Sequence, residues 1–170
     1  MGGDEASTIA QFGEEIGQIW PRSQAAYRCA AVRDLETLKL LYDDEGARFH
    51  RLKVTHDASP VGWAVMLDTQ MRGSSHFGDL RVGTVVDCDA IPGYAGRVAL
   101  AARRYLSSRG VDLILTNQSH GTWIEAYSSA GFLSFPSNFI FAACKELAAA
   151  IGPGAAYHMT RGDGDGPIHL

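Results

Sequence analysis

The sequence predicts a mixed α/β (α+β) fold, a largely antiparallel central sheet with one parallel βαβ unit, flanked by helices. Three observations predict it. From Leu80 to Phe132 the chain reads strand, loop, helix, strand, helix, and its two strands are separated by more chain than a hairpin uses. Such strands become parallel neighbours joined by a right-handed crossover. Upstream, period-two alternation over His50, Leu52 and Val54, and again over Val61, Trp63, Val65 and Leu67, brackets a turn at Asp57–Pro60. That pattern is an antiparallel hairpin. Apolar residues near the start recur at helical spacing, which supplies helices to cover the sheet.

At 170 residues, with 46% apolar and 20% charged residues, the chain reads as one domain able to bury a core without disulfides or metals. Residues 1–8 and 161–170 are expected to be flexible. The net charge of -4 argues against general binding of nucleic acid. No apolar run approaches the ~18 residues of a membrane helix, and the opening does not read as a signal peptide. The cysteines Cys29, Cys88 and Cys144 have no C-x-x-C spacing and are expected to be buried free thiols. A cytoplasmic location follows as the default.

The elements follow in order. Met1–Glu5 reads as a frayed start, and Ile9, Phe12, Ile16 and Ile19 as one helix closed by Pro21. Asp34 caps a second helix through Leu35, Leu38, Leu41 and Tyr42. The hairpin comes next, followed by a loop from Gln70 to Asp79. The central unit then runs as a strand (Leu80–Ala90), a loop (Ile91–Ala95), a helix (Gly96–Arg109), a strand (Val111–Asn117) and a helix (His120–Ala130). Phe139–Cys144 reads as a buried strand with Ala156–Thr160 as its antiparallel partner.

In a parallel βαβ unit the carboxyl ends of both strands meet the amino end of the crossover helix. Its unpaired N–H groups and dipole favour an anion there. Gly93 and Gly96, after Pro92, are either plain turn glycines or part of a phosphate loop. Arg97 lies in the first helical turn, where a cation works against the dipole. Asp87 and Asp89 lie within an otherwise apolar strand, on the face that alternation gives to Gly83 and Val85. Partial burial would suit them to general-base work, and exposure near the strand end is the plainer reading. Tyr127 is a core aromatic or a proton donor. His120 is expected to be structural. The tail Thr160–Pro167 fails the spacing of a calcium loop, and no metal is expected.

A hairpin, a strand, a Gly-containing loop, a basic helix, a strand and a helix ending in Tyr127-x-x-x-Gly131-Phe132 together resemble the GNAT acyltransferase superfamily. Pro92-x-Tyr94-x-Gly96-Arg97 and Arg109-Gly110 are further points of likeness. The resemblance implies acetyl-CoA as co-substrate, its pyrophosphate held by Gly93, Tyr94, Ala95, Gly96, Arg97 and Val98, with Asn117 along the cofactor. It also implies that Tyr127 protonates the departing thiolate and that Asp87 or Asp89 takes a proton from an acceptor amine.

Two functions follow. One is an acyl-CoA-dependent N-acyltransferase acting on an amine, with no nucleic-acid or membrane partner. The other is a catalytically silent GNAT-like domain serving as a binding or structural module, favoured by Val98 and Leu100 standing where the family's later glycines would be. The sequence leaves the acceptor, the acyl length and the oligomeric state open.

Overall fold

The computed structural model describes residues 3–43, 48–136, 142–152 and 156–164. The strands and helices run β1 (Asp4–Ile9), α1 (Glu14–Gly17), α2 (Trp20–Ser23), β2 (Cys29–Ala30), α3 (Leu35–Tyr42), β3 (His50–His56), β4 (Ser59–Gln70) and β5 (Arg81–Ala90). They continue with α4 (Ala95–Ser108), β6 (Leu113–Thr116), α5 (Gly121–Ser129), α6 (Lys145–Ile151) and β7 (Tyr157–His158).

The main sheet has the order β1-β3-β4-β5-β6. All its pairings are antiparallel except β5–β6, which is parallel from Val82↔Leu113 to Val85↔Thr116. The βαβ unit therefore stands as expected, with α4 crossing between its strands. The hairpin turns on Asp57 and Ala58 alone, both at positive φ (49° and 62°), a tight two-residue turn whose twist matches that of the strands.

The two ends of the chain differ from expectation. Asp4–Ile9 is an edge strand on β3, where a frayed start was expected. Its side chains alternate without burial, so no hydrophobic period marked it. Ile9 ends that strand, and the helical period beyond it breaks into two short helices. Pro21 sits in the first turn of α2, where proline is tolerated, and ends nothing. Helix α3 is capped as read, with Asp34 Oδ1 accepting from the Thr37 N–H at 2.9 Å.

Of the expected strand Phe139–Cys144, residues 139–141 lie outside the described residues. Residues 142–144 lead into α6, which the alanine-rich sequence did not advertise. Its cap is the Cys144 sulfur, accepting from the Leu147 N–H. Cys144 is exposed and Cys29 half-buried, so only Cys88 is the buried thiol expected. β7 pairs in parallel with β2, and half of the partner strand expected for it lies outside the described residues. One antiparallel bridge, Gln118↔Thr160, ties its continuation to the end of β6.

A bulge corrects one further reading. Met66 pairs with Val85 and Val65 with Asp87, so Val86 is an extra residue in β5. An extra residue reverses the alternation beyond it. A Cβ at Gly83 would touch Leu106 of α4, whereas Asp87 lies against Tyr42 of α3. Asp87 therefore faces away from Gly83, not with it. The core fills both sides of the sheet. Val98, Ala102 and Leu106 pack from α4, and Phe12, Ile16 and Leu38 from α1, α3 and the segment before them. No helix among the described residues is long and apolar enough to cross a membrane.

Candidate active site

The amino end of α4 is open. Gly93 turns at φ +90°, and neither Gly93 nor Gly96 has an atom within 4 Å of where a Cβ would stand. The N–H groups of Arg97 and Val98 both point to the Tyr94 carbonyl. Those of Ala95 and Gly96, at the start of the helix, have no acceptor among the described residues. Arg97 stacks on the Tyr94 ring, 5.0 Å from its centroid, and forms an ion pair with Asp4 of the edge strand. That carboxylate offsets the unfavourable placement of a cation in the first turn.

Beyond Val85 and Thr116, β6 leaves β5. The widening gap is filled from the chain itself. His158 of β7 donates from Nε2 to the Cys88 carbonyl at 3.0 Å, taking the place of a strand partner. Its ring stacks with those of Tyr27 (4.6 Å) and Trp123 (5.7 Å). Burial holds its pKa down to about 3, so it is neutral, with a bare Nδ1 that no described residue meets. Trp123 Nε1 donates to the Tyr27 hydroxyl at 3.0 Å, which in turn donates to Asp89 Oδ1 at 3.0 Å.

Tyr127 stands on the α4–α5 side of the sheet, buried, with its hydroxyl toward the Cys88 sulfur at 3.6 Å. Burial raises the pKa of both groups. It lines a cavity of about 540 Å³ together with Thr116, Asn117, Gln118, Ile124, Phe132 and Thr160. Asn117 and Tyr127 thus meet at one cavity.

The aspartates lie on the opposite face. Four donors converge on Asp87: Arg33 Nε (3.1 Å), the Thr160 hydroxyl (2.9 Å), the Cys88 N–H (2.9 Å) and the Tyr42 hydroxyl (3.0 Å). Asp89 is fully buried and accepts from Ser23, Tyr27 and the Ala90 N–H. Burial pushes its pKa up to about 6.

Arg33 and Asp163, which no spacing in the sequence pairs, complete this face. Arg33 is 2% exposed, and Nη2 reaches Asp163 Oδ2 at 2.6 Å. Thr160 and Asp163 close a capping box around the turn Arg161–Asp163, a signal legible in Thr160-x-x-Asp163. A Cβ on Gly162 would collide with the Tyr42 hydroxyl. A second cavity, about 470 Å³, lies between α3 and this turn. Asp163 and Gly164 line both cavities.

A mostly antiparallel sheet with one parallel, diverging strand pair and an open crossover helix defines the GNAT acyltransferase fold, and this chain has it. No family model matches the sequence, and no curated protein does. Solved structures similar to it include the ribosomal-protein-alanine N-acetyltransferase from Brucella melitensis biovar Abortus 2308. There the identity is 14% and the TM-score 0.58, over 82% of this chain and 99% of that one. The aminoglycoside N-acetyltransferase AAC(6')-Iy in complex with CoA is 14% identical, TM-score 0.53, covering 85% and 97%. The ribosomal-protein-S18-alanine N-acetyltransferase from Escherichia coli is 16% identical, TM-score 0.52, covering 79% and 80%. At these identities the likeness is one of architecture.

Proposed function

We propose that the chain is an acyl-CoA-dependent N-acyltransferase, moving an acetyl or related acyl group from its coenzyme A thioester to an amine. The observation that carries this reading is the open amino end of α4, where among the described residues two N–H groups lack acceptors and nothing lies within 4 Å of a Cβ built on Gly93 or Gly96. A pyrophosphate is the anion this geometry suits. In this reading the backbone from Gly93 to Val98 holds it, and Arg97 exchanges Asp4 for a phosphate oxygen. Asn117 lies along the pantetheine arm. An amine acceptor is in keeping with neighbours named for aminoglycosides and for the alanine of a ribosomal protein.

Attack by a neutral amine nitrogen on the thioester carbonyl forms the C–N bond and breaks C–S, and the proton that nitrogen sheds as the amide forms passes through solvent to restore the Tyr127 phenol. The sulfur leaves with the electron pair and takes the Tyr127 proton. A phenol whose pKa is raised is a reluctant donor. A thiolate forming in the same dry surroundings binds protons more tightly too, as burial does for the Cys88 thiol.

The silent-domain reading is favoured by one observation. His158, Trp123 and Tyr27 occupy the gap between β5 and β6 that a pantetheine arm would enter.

Acetyl-CoA separates the two. A ligand bound only to the native state stabilises it, by about 2.7 kcal/mol at a hundred times its Kd, which is several degrees of melting temperature at this size. Acyl transfer requires that shift, and an unchanged melting temperature at millimolar acetyl-CoA leaves the silent domain. Tyr127→Phe is then expected to keep the shift while turnover, followed by thiol release, falls roughly 10²-fold. Unchanged turnover would return Tyr127 to the core.

A further inference from the structure

We propose that Asp4, at the start of β1, competes with the coenzyme's phosphate for Arg97, and that a proton on His56 draws Asp4 away, so that acyl-CoA binds more tightly as pH falls. The proposal rests on the acyl-CoA reading above, in which Arg97 meets a phosphate oxygen.

Three atoms beside the amino end of α4 form a triangle. Asp4 Oδ1 makes the ion pair with Arg97 Nη1 and lies 2.8 Å from His56 Nδ1. Arg97 Nη1 lies 2.7 Å from the same Nδ1. These contacts cannot all be hydrogen bonds at once, because a ring nitrogen carries either a hydrogen or a lone pair. With a lone pair, Nδ1 accepts from Arg97 and repels the carboxylate. With a hydrogen, it donates to Asp4 and repels the guanidinium. In the first state two acceptors hold Arg97. In the second it loses the imidazole and shares the carboxylate with another cation.

The proton decides between the states. Among the described residues, the charged and titratable groups facing His56 are Asp4 from β1, Asp57 from the hairpin turn, and Arg97 and Tyr94 from α4. Asp57 Oδ2, 3.6 Å from Nε2, favours the hydrogen of a neutral ring there, which leaves Nδ1 bare for Arg97. Protonation puts a hydrogen on both nitrogens, and histidine is the side chain whose charge ordinarily changes between about pH 5 and pH 8. Two carboxylates then face the imidazolium against one guanidinium.

The exchange moves side chains and leaves the strand in place, since backbone pairing of β1 with β3 begins at Asp4↔His56. Arg97 rests on the Tyr94 ring, 5.0 Å from its centroid, which keeps the guanidinium at the mouth when Asp4 turns away. The side chains of Arg97 and Asp4 are 38% and 46% exposed. Ion pairs this exposed are weak, so the expected effect is several-fold, far short of an on–off change.

The test has two arms, both on the full chain. In the first, without ligand, the His56 ring and the Arg97 side-chain N–H are followed by NMR from about pH 8 to about pH 5.5. Both signals are expected to change with one midpoint. In His56→Phe, which keeps a ring beside Tyr94 and cannot be charged, the Arg97 signal is expected to stay flat. In the second arm, acetyl-CoA affinity is measured by calorimetry at both ends of that range. The coenzyme's own phosphate titration is common to every variant, so the wild type is compared with His56→Phe and is expected to tighten at least roughly threefold more on acidification. Asp4→Asn is expected to bind at least roughly threefold more tightly than wild type near pH 8 and to gain less as pH falls. Separate midpoints, an Arg97 signal that still titrates in His56→Phe, equal pH responses in wild type and His56→Phe, or an affinity indifferent to Asp4→Asn would overturn the proposal and leave the acyl-CoA reading in place. No acetyl-CoA binding to wild type or Asp4→Asn at either pH would overturn both.

Discussion

Two neighbouring regions of the βαβ unit are built in opposite ways. The amino end of α4 is an opening, with glycines, unmet N–H groups and vacant space around the Cβ positions of Gly93 and Gly96. The gap between β5 and β6, reached from the same carboxyl ends of the strands, is filled by His158 with Tyr27 and Trp123 each stacked on it. A parallel pair that diverges must satisfy the strand edge it abandons, because unpaired backbone groups are costly when buried. Here an imidazole does so, at the Cys88 carbonyl. The opening has local causes in Pro92, Gly93 and Gly96. The filling brings together residues 27, 123 and 158. The contrast locates where acyl-CoA would have to displace protein: along the pantetheine arm, not at the phosphates.

The largest expected effect tests whether the filling is core. Trp123 is 1% exposed and stacked, and its Nε1 is hydrogen-bonded. Trp123→Ala is expected to cost about 3–5 kcal/mol in urea denaturation, the usual range for removing a buried aromatic. A cost under about 1 kcal/mol, with tighter acetyl-CoA binding, would break the comparison. The gap would then be ligand space that the tryptophan merely borrows.

How much of this was legible follows the same division. The βαβ unit, the hairpin and the α3 cap rest on local period and local capping, and they stand within a few residues of where the sequence put them. Tyr127 and Asn117 meet at one cavity because both belong to that unit. The side of Asp87 was misread because a bulge is a property of two strands' register, and alternation along one strand cannot show it. Arg33 and Asp163 are 130 residues apart, and no spacing announces their contact. β1 escaped because an exposed edge strand carries no hydrophobic signal, and α6 because its short run of alanines has no polar face to contrast with.

A second effect examines how the filling is anchored across β5. Asp89, with its pKa raised to about 6 by burial, holds the Tyr27 hydroxyl that Trp123 also meets. A carboxyl with a folded pKa above its unfolded value near 3.8 stabilises the fold fully below pH 3.8. That contribution is lost as pH rises through about 6. Raising the pKa from 3.8 to about 6 corresponds to roughly 3 kcal/mol. Asp89→Asn keeps an acceptor for Tyr27 and cannot ionise. Relative to wild type, the variant is therefore expected to gain on the order of 3 kcal/mol in unfolding free energy between about pH 4 and pH 7. A flat difference across that window would mean that Asp89 is not held in a dry site, and that the stack is more open to water than its burial indicates.

The smallest effect on stability is the most informative about the opening. Gly96 occupies the second position of α4, its φ is not in the left-handed region, and a Cβ there meets nothing within 4 Å. Gly96→Ala is therefore expected to stabilise the chain by up to ~1 kcal/mol, since alanine loses less backbone entropy in a helix. The same methyl group would stand beside the two N–H groups that a pyrophosphate would approach. If those amides hold coenzyme A, the variant gains stability and loses at least tenfold in acetyl-CoA affinity, a divergence read by calorimetry alongside melting. Gain in stability with unchanged affinity would separate the opening from the cofactor and leave it a plain helix start. Gly93→Ala does not serve as the probe, because at φ +90° it strains the turn and lowers stability and binding together. Position 96 alone lets the backbone's own preference and the ligand's requirement pull in opposite directions.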